Sequence, residues 1–143
     1  MPGVTRIFIK TALLYGCIGL LLNTLSVINS LWWRQPLLGA IQPTAIHLIV
    51  VGWLTQLIVG VALWMFPVWS KAQPRGPEWL GWSCYGLLNA GLLLRMIAEP
   101  LSAQRVTPAV TGLLIGAAVF QVAALWLFAA LIWRRVRAKG SGR

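Results

Sequence analysis

Residues 44–67 read TAIHLIVVGWLTQLIVGVALWMFP, a run without Asp, Glu, Lys or Arg. At about 1.5 Å per helical residue it extends about 36 Å, enough to cross a hydrocarbon core of about 30 Å. Pro43 stands just before the run and Pro67 closes it, and a residue that precedes proline is pushed out of the α region. The stretch predicts a transmembrane helix, and the rest of the chain repeats its pattern. Charge-free blocks cover 11–33, 35–70, 79–94 and 106–133. Four helices are expected, near 7–30, 44–67, 78–98 and 108–134. Short linkers join them, punctuated by Gln35-Pro36, Gln42-Pro43, Gln73-Pro74, Gly76-Pro77 and Glu99-Pro100. The third helix must carry Arg95 in its last turn, where the side chain can reach the interface or pair with Glu99 at i+4. The expected fold is all-α: a polytopic membrane protein with one four-helix domain over residues 1–143.

Composition narrows the function classes. Only 10% of the 143 residues are charged and 59% are hydrophobic, against roughly 25% charged in an average soluble domain. Glu78 and Glu99 are the two acids, set against 12 Lys and Arg and one His. Most soluble enzyme chemistries need paired carboxylates, nucleophile–base pairs or clustered metal ligands, which this chain nearly lacks. The net charge of +10 does not indicate nucleic acid, because the charges punctuate apolar blocks rather than form a basic face. Both acids are expected at helix ends, outside the membrane core. That argues against a proton-coupled transporter and against a cation channel with an acidic ring.

Basic residues give an orientation. Arg6 and Lys10, the central Lys71 and Arg75, and the tail residues Arg134, Arg135, Arg137, Lys139 and Arg143 fall on one side. Arg34, Arg95 and Arg105 fall on the other. The positive-inside rule then puts both termini in the cytoplasm, with the basic tail beside anionic headgroups. Helix 1 is expected to be retained rather than cleaved as a signal peptide, since no small-x-small site follows it. Trp32, Trp33, Trp64, Trp69, Trp79, Trp82 and Trp133 fall at helix ends, as in an interfacial belt. Trp53 and Trp126 lie deeper, where an indole N–H needs a partner or a cofactor edge. Cys17 and Cys84 lack metal or redox spacing and are expected as small buried hydrophobes without a disulfide.

Within the helices, Gly112-x-x-x-Gly116 with Ala117, Ala118, Ala123 and Ala124 forms a small-residue face, suited to close packing within the chain or to self-association. Ala12 and Gly16 repeat the device on helix 1. Gly52, Gln56 and Gly60 make a narrow stripe on helix 2, and Asn23, Asn89 and Gln121 are further amides expected to hydrogen-bond between helices. His47 is the one ionisable side chain inside a predicted span, about a turn from the outer end. A neutral imidazole there is either a hydrogen-bonded interfacial residue or a metal or heme ligand.

The segment from His47 through Gly52-Trp53, Gly60 and Trp64-Met65-Phe66-Pro67 resembles the second transmembrane helix of subunit I in the heme-copper oxidase and nitric oxide reductase superfamily. In that family a histidine near the outer face opens the helix, glycine and aromatics follow, and an aromatic-rich end runs into proline. The resemblance covers residues 44–67, and helix 1 by general character. It implies that His47 is an axial ligand of a b-type heme. It also fits the expected topology, with helix 1 running outward and helix 2 returning. Family subunits have about twelve helices in three pseudo-symmetric groups of four, with further histidines for a second heme and copper. This chain, with one histidine, looks like one such group and is not expected to be an oxygen- or nitric oxide-reducing enzyme on its own. A homotrimer rebuilds the ring by analogy. A homodimer places two His47 imidazoles on one heme across a two-fold axis.

Further cofactor-binding candidates follow from depth. Met65 lies about 27 Å along the helix from His47 and cannot reach the same iron. Met96 shares His47's depth on the third helix, so an intrachain His/Met pair is open. Arg34, Arg95 and Arg105 are on the outer side, as interface anchors or propionate partners, and Trp53 completes the candidate set. The expected protein is a heme b membrane protein for electron transfer or gas and redox sensing. It is expected in the bacterial plasma membrane as a homo-oligomer, through the Gly112/Gly116 face, with respiratory electron-transfer partners. The alternative is a cofactor-free accessory or assembly subunit of a respiratory membrane complex.

Overall fold

The first helix, α1 (Gly3–Ile28), opens into a π turn at Asn29–Trp33 and stops at Arg34, whose φ of 53° is left-handed. Asn29 locks that stop. Its buried side chain donates to the Gln35 carbonyl at 3.0 Å and accepts the Gln35 N–H at 2.7 Å. Pro36 then starts a short α2 (Pro36–Ala40), since its fixed φ suits a first helical position. The computed structural model describes residues 3–66, 77–133 and 135–136.

The second long segment starts as α3 (Gln42–His47), loosens into a π segment over Leu48–Thr55 and returns to α-helix as α4 (Gln56–Met65). The π stretch therefore begins one residue after His47. Next, α5 (Glu78–Gln104) opens on Pro77 with Glu78 in its first turn, where a carboxylate complements the helix dipole. Thr107 caps α6 (Pro108–Trp133), its hydroxyl oxygen accepting the Val110 N–H at 3.3 Å.

All elements among the described residues are helical or turn. Three stretches are long and apolar enough to cross a membrane: Gly3–Trp33, Pro36–Met65 and Pro108–Trp133. The fourth, α5, has the length for it but carries Glu78, Arg95 and Glu99. The expected end of the third helix near residue 98 is corrected: α5 continues through Pro100 to Gln104. Pro100 costs the helix one hydrogen bond, to the carbonyl four residues earlier. Glu99, expected at a helix end, is thereby a buried residue inside a helix.

Helices are held at close range by glycines. A Cβ on Gly16 would stand 2.8 Å from Trp53 Cγ, and one on Gly19 2.9 Å from Ile49 Cγ1. A Cβ on Gly60 would meet Phe8 Cβ at 2.9 Å, and one on Gly52 would meet Tyr15 Cβ at 2.8 Å and Leu92 Cδ2 at 2.9 Å. The Gly52/Gly60 stripe thus seats α1 directly on α4 and the π segment. Gly91 brings α5 equally close to α6, where an added Cβ would lie 2.8 Å from the Ala117 carbonyl oxygen. Gly112 and Gly116 differ, with nothing within 4 Å of a built Cβ.

The two ends of the bundle have different interiors. Toward the start of α1, Phe8, Val59, Leu63, Cys84, Leu88, Ala124 and Leu131 form an apolar core, and the Phe8 and Tyr85 rings meet edge to face at 5.1 Å. Cys84 is buried as expected, its thiol donating to the Ala124 carbonyl at 3.3 Å. Cys17 is exposed, contrary to expectation, because it lies on the outward face of α1. Trp126 also faces outward, 74% exposed, rather than being buried with a partner. Arg135, expected among headgroups, is buried. It donates to the Leu63 and Phe66 carbonyls at 3.2 and 2.7 Å, closing the end of α4 onto the end of α6. Trp69, Lys71, Arg75, Arg134, Arg137, Lys139 and Arg143 lie outside the described residues.

The glycine contacts predict opposite outcomes for one substitution at two places. Gly52→Ala should destabilise by about 1–3 kcal/mol through overpacking against Tyr15 and Leu92. Gly112→Ala should be neutral or stabilising by up to about 1 kcal/mol, since alanine is the better helix former. Unfolding of both variants in the same detergent gives the comparison.

Candidate functional site

Polar side chains gather at the end opposite the apolar core, where the start of α3 meets the last third of α5 and the middle of α6. Glu99 is at the centre, 7% exposed. One carboxylate oxygen, Oε2, accepts the Thr44 hydroxyl at 3.0 Å. The other, Oε1, accepts from Arg95 Nη1 at 3.2 Å and lies 2.9 Å from His47 Nδ1. An isolated buried carboxylate would be expelled by its desolvation cost. Here three groups from two helices satisfy it, so it holds α3 to α5.

Helix periodicity produces this arrangement. Thr44 and His47 are three residues apart, and Arg95 and Glu99 four apart, so each pair shares a face. His47 Nδ1 also lies 2.9 Å from the Pro43 carbonyl oxygen. With acceptors on both sides, Nδ1 carries the proton and shares it between Glu99 and Pro43. The lone pair is then on Nε2, which bonds to none of the described residues. The His47 side chain as a whole is 31% exposed.

Arg95 extends the cluster inward, its Nε donating to Gln121 Oε1 at 3.1 Å. A separate amide node lies deeper. Thr11 donates to Gln56 Oε1 at 3.0 Å, and Gln56 Nε2 donates to Asn89 Oδ1 at 3.2 Å, tying α1, α4 and α5 together. The interhelical roles expected of Gln56, Asn89 and Gln121 are those observed.

The cofactor-binding candidates separate into two groups. His47 and Arg95 are brought together through Glu99. Met96 is half-buried on α5, three residues before Glu99, and is not bonded to His47. Trp53 lies against Gly16 of α1. Arg34 and Arg105 are exposed at the ends of the first π turn and of α5, outside the cluster. The Arg95–Glu99 pairing expected at i+4 is observed, whereas the burial of Glu99 at the centre and Thr44 as its partner were not expected from the sequence. Among the described residues no group of three or more His, Cys, Asp or Glu side chains could hold a metal ion.

The residues were tested against a heme. A heme-ligating histidine needs a bare ring nitrogen and usually donates its other N–H to a carboxylate or carbonyl, and His47 meets both requirements. Cavities of about 640, 210, 320 and 430 Å³ are present in the bundle, and His47 lines none of them. His47 thus offers a ligand atom, and no heme-sized cavity lies beside it among the described residues. Compared with protein-family models, curated proteins and solved structures, the chain has no match in any of the three.

Glu99→Leu should cost about 1–3 kcal/mol, because it leaves the half-buried Arg95 guanidinium without its carboxylate partner. Adding Arg95→Leu should recover a large part of that loss. A double-mutant cycle by denaturation in detergent measures the coupling, and additive losses would show that the pair is not coupled.

Proposed function

We propose that the chain is a four-helix integral membrane protein that binds a b-type heme on its flank through His47 Nε2. The observation that carries this reading is the half-buried His47 side chain itself, with Nδ1 held by Glu99 and Pro43 and Nε2 without a partner among the described residues. A carboxylate behind an imidazole fixes its tautomer and raises the basicity of the ligating nitrogen. Buried as it is, Glu99 does this without competing for the ligand position. Arg95 offsets its charge. When bound, heme supplies one-electron exchange if six-coordinate, or a position for oxygen, nitric oxide or carbon monoxide if the sixth site is open.

In this reading α5 is the fourth span, its acid paired with Arg95 and hydrogen-bonded by His47, and both termini face the cytoplasm of a bacterial plasma membrane. The exposed Arg34 and Arg105 stand at the end of the bundle that holds His47 and supply guanidinium groups for the propionates. Met96, near in depth, and Trp53, one helix turn and a half along from His47, border the same region. The second face of the heme comes from another copy of the chain, as a dimer or trimer, and the uncovered Gly112/Gly116 surface supports close helix contact between copies. The chain acts in electron transfer or gas and redox sensing with respiratory partners, and is not an enzyme by itself. The same uncovered surface favours a second reading, a cofactor-free accessory or assembly subunit of a respiratory complex.

Visible spectra of the purified protein, expressed with heme supplied, separate the two. The expected result is a sharp b-type α-band in the reduced-minus-oxidised spectrum that His47→Ala abolishes and Cys17→Ser retains. Absence of a Soret band in heme-replete wild type would overturn the heme reading in favour of the accessory subunit. Gly112→Leu should lower the native mass while leaving membrane insertion intact, and an unchanged mass would exclude this face as the contact between copies.

A further inference from the structure

A cavity of about 210 Å³ opens between the π segment, α5 and α6, lined by Val51, Thr55, Leu88, Arg95, Ala118 and Gln121, with Val122 and Leu125 at its rim. Its polar groups are donors in excess of their partners. Gln121 Nε2 is buried and has no hydrogen-bond partner among the described residues, although Gln121 Oε1 is occupied by Arg95 Nε. Arg95 uses Nε and Nη1 on Gln121 and Glu99, which leaves Nη2 without a protein acceptor among the described residues. An orphaned buried N–H costs about 1–3 kcal/mol. A site that keeps one beside an arginine is complementary to an acceptor that the chain does not supply.

The position of the cavity restricts that acceptor. Gln121 stands halfway along α6, an apolar helix long enough to span a membrane. The rim residues Val122 and Leu125 are 53% and 46% exposed on the flank of the bundle. Entry is therefore from the side and near mid-helix, where a bilayer excludes hydrated anions. The volume is below the roughly 300–1,000 Å³ of sites that enclose a whole small molecule, which suits a headgroup whose tail stays in lipid. We propose that this cavity receives the carbonyl headgroup of a neutral, lipid-soluble ring compound, the chemistry of a membrane quinone, with Gln121 Nε2 and Arg95 as donors. The site does not depend on heme at His47. It joins His47 only through Arg95 and Glu99.

The test is equilibrium binding to the full chain in detergent, with a decyl-substituted benzoquinone and a short-chain naphthoquinone as probes, and mapping by an azido derivative. Saturable binding of at least one probe is expected, with label on the π segment, α5 or α6 beside the cavity. Gln121→Glu keeps the acceptor for Arg95 Nε and removes the N–H donor. Ala118→Phe fills the cavity, and Val122→Trp blocks the rim from a surface position that does not threaten folding. Each should weaken binding by about tenfold or more, while Cys17→Ser, on the outward face of α1, should leave it unchanged. No saturable binding of either probe to wild type, as for a cavity that holds only water, would overturn the proposal. So would label placed elsewhere, or Val122→Trp binding like wild type.

Discussion

A carboxylate buried between two helices governs the polar end of this protein. Glu99 cannot be in an apolar interior alone, and the three groups that satisfy it, Thr44, His47 and Arg95, determine how α3 and α5 meet. Its demand for partners also accounts for the orientation of His47. An imidazole whose Nδ1 faces a carboxylate and a carbonyl has one tautomer open to it. The other nitrogen is then the one with the lone pair. Arg95 passes the constraint on to Gln121, so three helical segments share one chain of hydrogen bonds.

The close approach of the helices depends on contact rather than polarity. Glycines at 16, 19, 52 and 60 let α1 approach α4 and the π segment until side chains touch backbone, and Gly91 does the same between α5 and α6. In lipid, apolar side chains gain little by leaving the surrounding tails, so such contact and the interhelical hydrogen bonds carry the association. The Thr11–Gln56–Asn89 node stands between the two regimes. The π segment that follows His47 fits this division. It widens the helix where Gly52 admits Tyr15 and Leu92, next to the polar cluster rather than within the apolar core.

Much of this was legible in the sequence. Charge-free blocks of spanning length gave the long helices, whereas the short helix that Pro36 starts was read as linker. The spacing of Gly52, Gln56 and Gly60 announced a narrow, polar-centred face, and that is the face against α1. What was hidden depended on tertiary satisfaction. Glu99-Pro100 reads as a helix end by local rules, yet burial of Ala98 and Glu99 carries α5 onward. Arg135 looked like one more basic residue in a solvated tail, and only the free carbonyls at the end of α4 explain its burial. His47 stood out by being alone in an apolar run, but its partner lies 52 positions further along the chain and no spacing rule links them.

The central claim is that Glu99 and Pro43 hold the proton of His47 on Nδ1 and leave Nε2 as the ligating edge. Because the chain has one histidine, nitrogen NMR of a protein labelled at the imidazole ring gives a single pair of ring resonances without assignment. The account predicts that the neutral ring carries its proton on Nδ1 and leaves Nε2 unprotonated in the heme-free protein. A proton on Nε2 with a bare Nδ1 would contradict it.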